Sequence, residues 1–163
     1  MNNRPIVVIG AGAAGLMAAG RAAQRGAKVI LLEKMPEAGK KIMISGKTRC
    51  NITNTAEIDE FIDMFGPNGR FLFSSFSRFF RPELLDFLDT YGLETKVERG
   101  ARIFPASNRA ADVLGVLLHY CHYHKVDIRF NSRVVSLDIA EKRIRGVLTE
   151  RERIETETVI IST

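Results

Sequence analysis

Three glycines near the start of the chain have the spacing of a phosphate-binding turn. Gly10, Gly12 and Gly15 form a G-x-G-x-x-G pattern directly after the apolar run 5–9. The first glycine permits a tight turn, the second lets a pyrophosphate approach the backbone, and the third lets a helix pack close to a sheet. A helix that begins at this turn offers unpaired N–H groups and a partial positive charge to phosphates. The pattern therefore predicts a dinucleotide site, and the alternative is a Gly- and Ala-rich turn without a ligand.

An acidic residue follows the glycines at the separation that a ribose contact requires. Glu33 ends a second apolar run, 28–32, and dinucleotide-binding units carry such an acid about 20 residues beyond their glycines. A carboxylate at this position accepts hydrogen bonds from ribose hydroxyls and repels a 2′-phosphate. We therefore expect the nucleotide to be FAD or NAD rather than NADP.

The elements that position these residues follow a strand, helix, strand order, because a helix-prone run, 16–24, separates the two apolar runs. Further along, periodicity and turn signals predict helices at 57–65, 70–80, 82–90 and 108–124, with Asn108 as the cap of the last and a turn at 66–69. They also predict short strands at 93–98 and 101–104, a third parallel strand at 126–130, and antiparallel strands at 133–139, 143–149 and 154–162. The fold class is therefore α/β, Rossmann-like, with a central parallel sheet, crossover helices and an antiparallel β-meander.

Size and composition narrow the classes of protein. The chain has 163 residues, which is enough for one domain with a sizeable core, and its net charge is +5. Basic residues are scattered apart from a group beside the nucleotide motif, so we expect neither a nucleic-acid partner nor a membrane partner. That group consists of Lys40, Lys41, Lys47 and Arg49.

Cysteine usage and the two ends of the chain bear on its location and completeness. Cys50 and Cys121 lie far apart in unlike contexts, so we expect no disulfide framework and a cytoplasmic location. We find no signal peptide and no apolar stretch long enough to span a bilayer. Residues 158–163 form a buried-strand pattern that stops without a turn, so we expect a truncated piece of a longer protein.

Several single residues have both a functional and a structural interpretation. Arg49 can donate to a phosphate or to flavin oxygens, or it can pack its stem on the surface. Lys40 and Lys41 are adjacent, so in an extended segment only one would reach a cofactor. Cys50 is not part of a C-x-x-C pair, so we expect no dithiol chemistry there.

Two clusters receive structural interpretations. His119 and His122 are three residues apart and could share a metal, but further ligands are not evident and we predict no metal site. The phenylalanines at 71–80 could line a substrate cleft, but such stretches are more often core.

The segment 39–54 reads G-K-K-I-M-I-S-G-K-T-R-C-N-I-T-N. With the glycine turn, it resembles the BaiN/aminoacetone-oxidase family of NAD(P)/FAD-dependent oxidoreductases, which carries G-[RK]-K-x-x-x-[ST]-G-x-x-R-C-N-x-[TS]-N after its ribose acid. The run 100–107, G-A-R-I-F-P-A-S, resembles the family's second signature, G-R-x-F-P-x-S, with Ala101 as a departure. The final V-I-I-S-T resembles a strand that continues into a T-G-G turn in that family.

The resemblance implies FAD bound non-covalently in an extended form, and NAD(P)H is a candidate electron donor. It implies that Gly10, Gly12, Ala13, Ala14 and Gly15 line the pyrophosphate and that Glu33 holds the adenosine ribose. It places Gly39, Lys40 and Lys41 beside the cofactor, directs Ser45, Gly46, Arg49, Cys50 and Asn51 toward the flavin, and assigns the backbone of Val134 to the adenine. It also implies that residues 1–163 are the N-terminal part of a flavoprotein whose FAD-binding domain receives further segments.

The sequence therefore predicts an FAD-dependent oxidoreductase acting on a small molecule, with the substrate and the catalytic residues unidentified. Two alternatives stay open: a non-catalytic module that binds FAD or NAD, and a flavoprotein that modifies tRNA.

Overall fold

The computed structural model describes residues 4–163, which form two compact units. One unit contains the residues up to Met43 together with Leu117–Thr163, and the other contains Ile44–Val116. The strands are β1 (Ile6–Ile9), β2 (Val29–Leu32), β3 (Thr53–Asn54), β4 (Thr95–Glu98), β5 (Arg102–Pro105), β6 (Asp127–Arg129), β7 (Val134–Ala140), β8 (Arg143–Thr149), β9 (Arg153–Glu155) and β10 (Thr158–Ile161). The helices are α1 (Ala13–Gln24), α2 (Lys40–Ile44), α3 (Ile58–Asp63), α4 (Phe73–Phe76), α5 (Arg81–Thr90) and α6 (Ala110–Tyr123), and a 3-10 helix, Gly66–Leu72, lies between α3 and α4.

The first unit is built on a sheet of four parallel strands in the order β10-β1-β2-β6. Ile6 of β1 lies opposite Val29 of β2 on one side and opposite Thr158 of β10 on the other. All four residues of β2 are buried, as expected for a parallel strand that is covered on both faces. The predicted βαβ unit and the predicted third parallel strand, which is β6, are both confirmed.

One face of this sheet packs against the antiparallel strands β7, β8 and β9. Val7 and Leu32 from the parallel sheet share a buried cluster with Val147 of β8 and Ile154 of β9. Because side chains alternate along a strand, Val8 and Leu31 face the other side of the sheet, and both are fully buried. The meander is therefore one outer layer of this unit, packed on one face of the parallel sheet.

Helix α1 packs closely against the C-terminal half of α6. A Cβ atom at Gly20 would overlap the ring of Tyr120, whose hydroxyl donates to Gln24 Oε1 at 2.9 Å. The buried thiol of Cys121 donates to the carbonyl of Leu16 at 3.2 Å. Burial raises the pKa of Cys121 to about 11, so this thiol is a packing group.

The predicted antiparallel strand at 154–162 is wrong, because the segment forms two strands in two different sheets. Strand β9 pairs with β8, and β10 pairs in parallel with β1. The fully buried Thr156 makes the change of direction. Its hydroxyl donates at 2.7 Å to the carbonyl of Pro5 and accepts the N–H of Thr158 at 3.1 Å, which satisfies the backbone at the corner.

The second unit contains the antiparallel sheet β3-β5-β4 and the short helices that follow β3. The two predicted short strands are confirmed as β4 and β5. Helix α5 begins with Pro82 in its first turn, and the Glu83 carboxylate accepts the N–H of Phe80 at 2.9 Å, which caps the helix. The helix ends before Gly92, whose φ of +79° permits the reversal.

Three local predictions in this unit are wrong. Residues 66–69 begin a 3-10 helix rather than a simple turn, and the predicted helix at 70–80 is reduced to Phe73–Phe76. Asn108 does not cap α6, because its side chain accepts a hydrogen bond from Arg49 at 3.3 Å and its φ is +57°. Within residues 4–163, none of the helices is long and apolar enough to cross a membrane.

Candidate dinucleotide site

The glycine turn lies where the geometry of an open α/β sheet favours ligand binding. Strand β1 is central in the sheet, and the chain leaves it through α1 toward β2, while β10 occupies its other side. The carboxyl ends of β1 and β10 therefore border the point at which the strand order reverses. Crevices at such points are the usual ligand sites of doubly wound sheets.

The three glycines have three different surroundings. Gly10 has φ of +101°, and a Cβ atom there would lie 2.9 Å from the carbonyl oxygen of Ser162. A Cβ atom at Gly15 would overlap the carbonyl oxygen of Gly10, so only glycine allows α1 to approach β1 this closely. By contrast, apart from Gly12 and its two chain neighbours, no atom of the described protein lies within 4 Å of a Cβ position at Gly12. The predicted turn and helix-packing roles are thus matched by contacts, and the backbone at Gly12 is open to a ligand.

The N-terminus of α1 has the character of an anion site. Gly12 is its N-cap residue, with no side-chain capping bond, and the first turn contains no acidic residue. The apolar residues Ala13 and Ala14 start the helix, so their N–H groups lie at its positive end. The twelve-residue length of α1 gives the turn a full helix dipole behind it.

Ser162 holds the turn from the neighbouring strand, and the sequence analysis did not identify it. Its hydroxyl lies 2.9 Å from the carbonyl oxygen of Ile9 and 3.1 Å from that of Gly10. Its backbone N–H also donates to Ile9 at 2.9 Å. A small hydroxyl residue directly after the last apolar run was the only signal for this contact, and recognising it required knowing that β10 pairs with β1.

Glu33 contacts the glycine turn itself. Its Oε2 accepts the N–H of Ala11 at 2.8 Å, and its Oε1 accepts the N–H of Met35 at 2.9 Å. A carboxylate has about four lone-pair sites, so each oxygen retains capacity for a ribose hydroxyl. The structure thus gives Glu33 a role in bracing the turn, and its predicted ribose contact stays a prediction.

The segment after β2 returns to the same turn. The buried Gly39 donates its N–H to the carbonyl of Ala11 at 2.8 Å, with φ of +69°. Lys40 and Lys41 are exposed in the first turn of α2. The assumption of an extended segment with opposed lysines is therefore wrong, because adjacent residues on a helix are only about 100° apart.

Val134, the predicted adenine contact, begins β7 opposite Thr149. It packs against the buried cluster between the parallel sheet and the meander.

In the second unit, residues 45–51 form a tight loop with several left-handed residues. Lys47, Thr48 and Cys50 have φ values of 57°, 68° and 60°. The Cys50 N–H closes the loop on the carbonyl of Ser45 at 3.1 Å. A Cβ atom at Gly46 would lie 2.7 Å from the N atom of Asn51. Left-handed non-glycine residues are energetically unfavourable, but they also occur in turns elsewhere in the chain, such as Lys125 and Glu141, so the predicted flavin contacts of this loop stay a prediction.

Arg49 is held in place by other residues of this unit. Its Nη1 donates to the Glu98 carboxylate at 2.9 Å, and its guanidinium lies 4.3 Å from the centre of the Phe104 ring. This hydrogen bond lowers the pKa of Glu98 below its ordinary value. The packing of the guanidinium on Phe104 agrees with the structural interpretation of Arg49, and its predicted cofactor contact stays a prediction.

The last two predicted flavin contacts, Cys50 and Asn51, differ in their exposure to solvent. Cys50 is buried, and Asn51 is exposed at the end of the loop.

Among residues 4–163, no group of three or more His, Cys, Asp or Glu side chains could hold a metal ion. The interpretation of the phenylalanines at 71–80 as core is wrong for Phe71, which is 87% exposed, and for Phe73 and Phe79, which are also exposed. Phe76 and Phe80 are half-buried and pack against Phe61.

Comparison with known proteins identifies the family. The HI0933-like protein Rossmann domain matches residues 4–163. The chain belongs to this family. The resemblance to BaiN/aminoacetone-oxidase flavoproteins and the Rossmann-like fold class are thereby confirmed.

Two relatives of known activity match over most of the chain. A 3-dehydro-bile acid delta(4,6)-reductase of Clostridium scindens is 35% identical over 159 residues, which is 96% of this chain and 38% of the relative. A ribosomal RNA dihydrouridine synthase of Escherichia coli is 30% identical over 132 residues, covering 80% of this chain and 32% of that protein. The chain therefore spans about a third of the length of these relatives.

Solved structures share the fold. A 3-ketosteroid-delta4-(5alpha)-dehydrogenase from Rhodococcus jostii matches with a TM-score of 0.73 at 16% identity, over 96% of this chain and 44% of that one. A flavocytochrome c3 fumarate reductase matches with a TM-score of 0.73 at 24% identity, over 97% of this chain and 33% of that one. At these identities the likeness concerns the fold alone.

Proposed function

We propose that this chain binds FAD and forms part of an FAD-dependent oxidoreductase. The observation that carries the proposal is the open backbone at Gly12, at the N-terminus of α1 and at the reversal point of the sheet. The space beside Gly12 contains no protein atom, whereas the space beside Gly15 is filled by the carbonyl of Gly10 and the hydroxyl of Ser162. Space that the protein leaves empty beside unpaired N–H groups fits a pyrophosphate.

The chain's own residues would bind and orient the cofactor. The turn from Gly10 to Gly15 would hold the pyrophosphate, and Glu33 would accept hydrogen bonds from the adenosine ribose. The loop at 45–51 would supply the flavin end, with Arg49 kept in one orientation by Glu98. FAD, when bound, supplies hydride-transfer chemistry that no side chain provides.

We propose a small-molecule substrate, with NAD(P)H as the electron donor. The more similar of the two relatives is by name a reductase of a small molecule, and it matches 96% of this chain. The exposed aromatic surface of the second unit also suits an apolar compound better than a phosphate-rich one.

The decisive experiment begins with the purified protein. Acid or heat denaturation should release a yellow compound with flavin fluorescence, whereas release of a colourless nucleotide alone would contradict FAD as the cofactor. Titration should give tighter binding of FAD than of NADP, because Glu33 repels a 2′-phosphate. Anaerobic mixing with NADH or NADPH should then bleach the flavin absorbance, and a flavin that stays oxidised would favour the non-catalytic module.

RNA modification is the second candidate, and one observation favours it: the relative from Escherichia coli that matches 80% of this chain acts on ribosomal RNA by name. The net charge of +5 is compatible with an RNA partner. Binding of RNA to the purified protein that weakens steeply with salt would support this candidate. Absence of RNA binding at low salt would leave the small-molecule proposal.

A further inference from the structure

The second unit contains a cavity of which only one wall residue, Asn51, is among the predicted cofactor contacts. Its volume is about 330 Å³, at the small end of the range of roughly 300–1,000 Å³ typical of ligand sites. Its walls are Asn51, Ile52, Thr53, Asn54, Phe61, Met64 and Phe65. One wall is therefore the segment 51–54, and the other is helix α3 with the residues that follow it.

The lining combines apolar surface with a few polar groups. Phe61, Phe65, Met64 and Ile52 present rings, a thioether and a branched chain, while two amides and a hydroxyl supply donors and acceptors. No formally charged residue is among the walls. This composition is that of a site for an uncharged ring compound oriented by a small number of hydrogen bonds.

The aromatic wall is built before any ligand arrives. The ring of Phe61 makes edge-on contacts with Phe76 at 5.4 Å and with Phe80 at 5.2 Å between ring centres. The ring of Phe65 lies 5.6 Å from that of Phe61. These contacts fix the rings although Phe65 remains 51% exposed, so an incoming ring meets an ordered surface and little side-chain freedom is lost on binding.

The opposite wall is ordered as well. Thr53 and Asn54 form β3 and pair with Ile103 and Arg102 of β5. The side-chain oxygen of Asn54 accepts the N–H of Ala56 at 3.0 Å, which fixes the orientation of that amide. The cavity therefore has two rigid sides, one that hydrogen-bonds and one that stacks.

The helix that forms one wall of the cavity is acidic, and Arg81 and Arg102 lie on neighbouring segments. Helix α3 carries Asp59, Glu60 and Asp63, and all three are exposed. A phosphate or sulfonate would approach this acidic helix unfavourably. Because the walls themselves carry no formal charge, the ligand chemistry that fits the cavity is neutral at the end that enters it.

We propose that this cavity, which we call the aromatic pocket, binds the ring of an uncharged, planar substrate. The substrate role rests on the proposed oxidoreductase function, because Asn51 is also among the residues predicted to lie toward the flavin. Ring binding itself requires only the second unit and needs no cofactor.

Methionine methyl NMR tests the proposal on the whole chain. With [¹³C-methyl]methionine, Met64 reports on the aromatic pocket, while Met17 and Met35 report on the other unit. The probes are 2-naphthol and naphthalene-2-sulfonate, which present the same ring with and without a negative charge. We expect 2-naphthol to shift the Met64 signal saturably, to leave Met17 and Met35 in place, and to bind more tightly than the sulfonate.

Two variants locate the contact. Phe65→Gln removes one wall ring, and we expect it to weaken naphthol binding by about 5-fold, the value of one aromatic contact. Phe71→Gln is the matched control, because Phe71 is 87% exposed and is not a wall residue, and it should leave the affinity unchanged. An unmoved Met64 signal in the unaltered protein, equal binding of the sulfonate, or equal weakening by both variants would overturn the proposal. Failure of FAD to bind, with Met64 still responding, would instead contradict the proposed function and keep the pocket.

Discussion

Replacing Gly12 by valine should greatly weaken FAD binding and preserve the fold. The reason is that the Cβ position of residue 12 faces open space and takes no part in packing. The backbone at Gly12 has φ of −80° and ψ of −175°, an extended conformation that valine adopts readily. A Cβ atom there meets no protein atom within 4 Å. The new side chain therefore occupies only the open space in which we propose that the pyrophosphate binds.

The magnitudes differ enough to be measured. Hydrogen bonds to a charged group contribute about 1.5–3 kcal/mol each, so displacing phosphate from two N–H groups costs roughly 3–6 kcal/mol. That loss corresponds to about a 10²- to 10⁴-fold increase in Kd. The fold loses at most about 1 kcal/mol, because valine is a poorer N-cap than glycine, which lowers Tm by roughly 2–4 °C in a chain of this size.

The assay combines flavin-fluorescence titration with far-UV circular dichroism and thermal denaturation. Gly115→Val is the matched control, because Gly115 also meets nothing within 4 Å of a Cβ position but lies in α6. It should retain the FAD affinity of the unaltered protein. If Gly12→Val binds FAD normally, the phosphates lie elsewhere and the reasoning is refuted. If both variants lose binding equally, added bulk alone is the cause.

Three further outcomes follow from the same contacts. Gly20→Val should lower Tm, because the side chain would overlap the Tyr120 ring and overpacking costs about 1–3 kcal/mol; an unchanged Tm would contradict the close approach of α1 and α6. Glu33→Gln should weaken FAD binding by about 10-fold, since a charged acceptor becomes neutral, and an unchanged Kd by titration would exclude the ribose contact. The pKa of Cys121 is raised from 9.0 to about 11, so the unfolded chain loses that proton first and stability should fall between pH 9 and pH 11. Cys121→Ala should flatten this part of the stability profile in urea titrations, and an equal slope would assign the alkaline loss to other groups.

The sequence predicted the parts of the fold that depend on local pattern. Buried parallel strands, the glycine turn and the helix after Pro82 each depend on residues that are neighbours in the chain. Predictions failed where a contact between distant residues decided the conformation. Asn108 has the side chain of a helix cap, but Arg49 takes its oxygen. The run 154–162 is continuously β-prone, but the buried Thr156 redirects it from one sheet to another.

In the candidate site, too, features set by local pattern could be predicted and features set by distant contacts could not. The three glycines and the acid could be predicted because their roles follow from spacing and residue type. Ser162 could not, because a serine after an apolar run has no signature of its own until β10 is known to lie beside β1. The aromatic run at 71–80 could not be divided from composition, because composition does not distinguish exposed rings such as Phe71 from packed rings such as Phe76.

The shape of the glycine turn depends on contacts with three segments, the start of α1, the end of β10 and the residue after β2. Gly15 approaches the carbonyl of Gly10, Ser162 lies against that same carbonyl from β10, and Glu33 accepts the N–H of Ala11 from β2. These contacts leave the backbone at Gly12 uncovered, where we propose that the phosphates bind. A turn held in this way requires little ordering when a nucleotide binds, which is the condition under which a few hydrogen bonds give tight binding. The motif is therefore best understood as a loop whose form is set by three neighbouring segments, so that changes at Ser162 or Glu33 should alter nucleotide affinity even if neither contacts the phosphates.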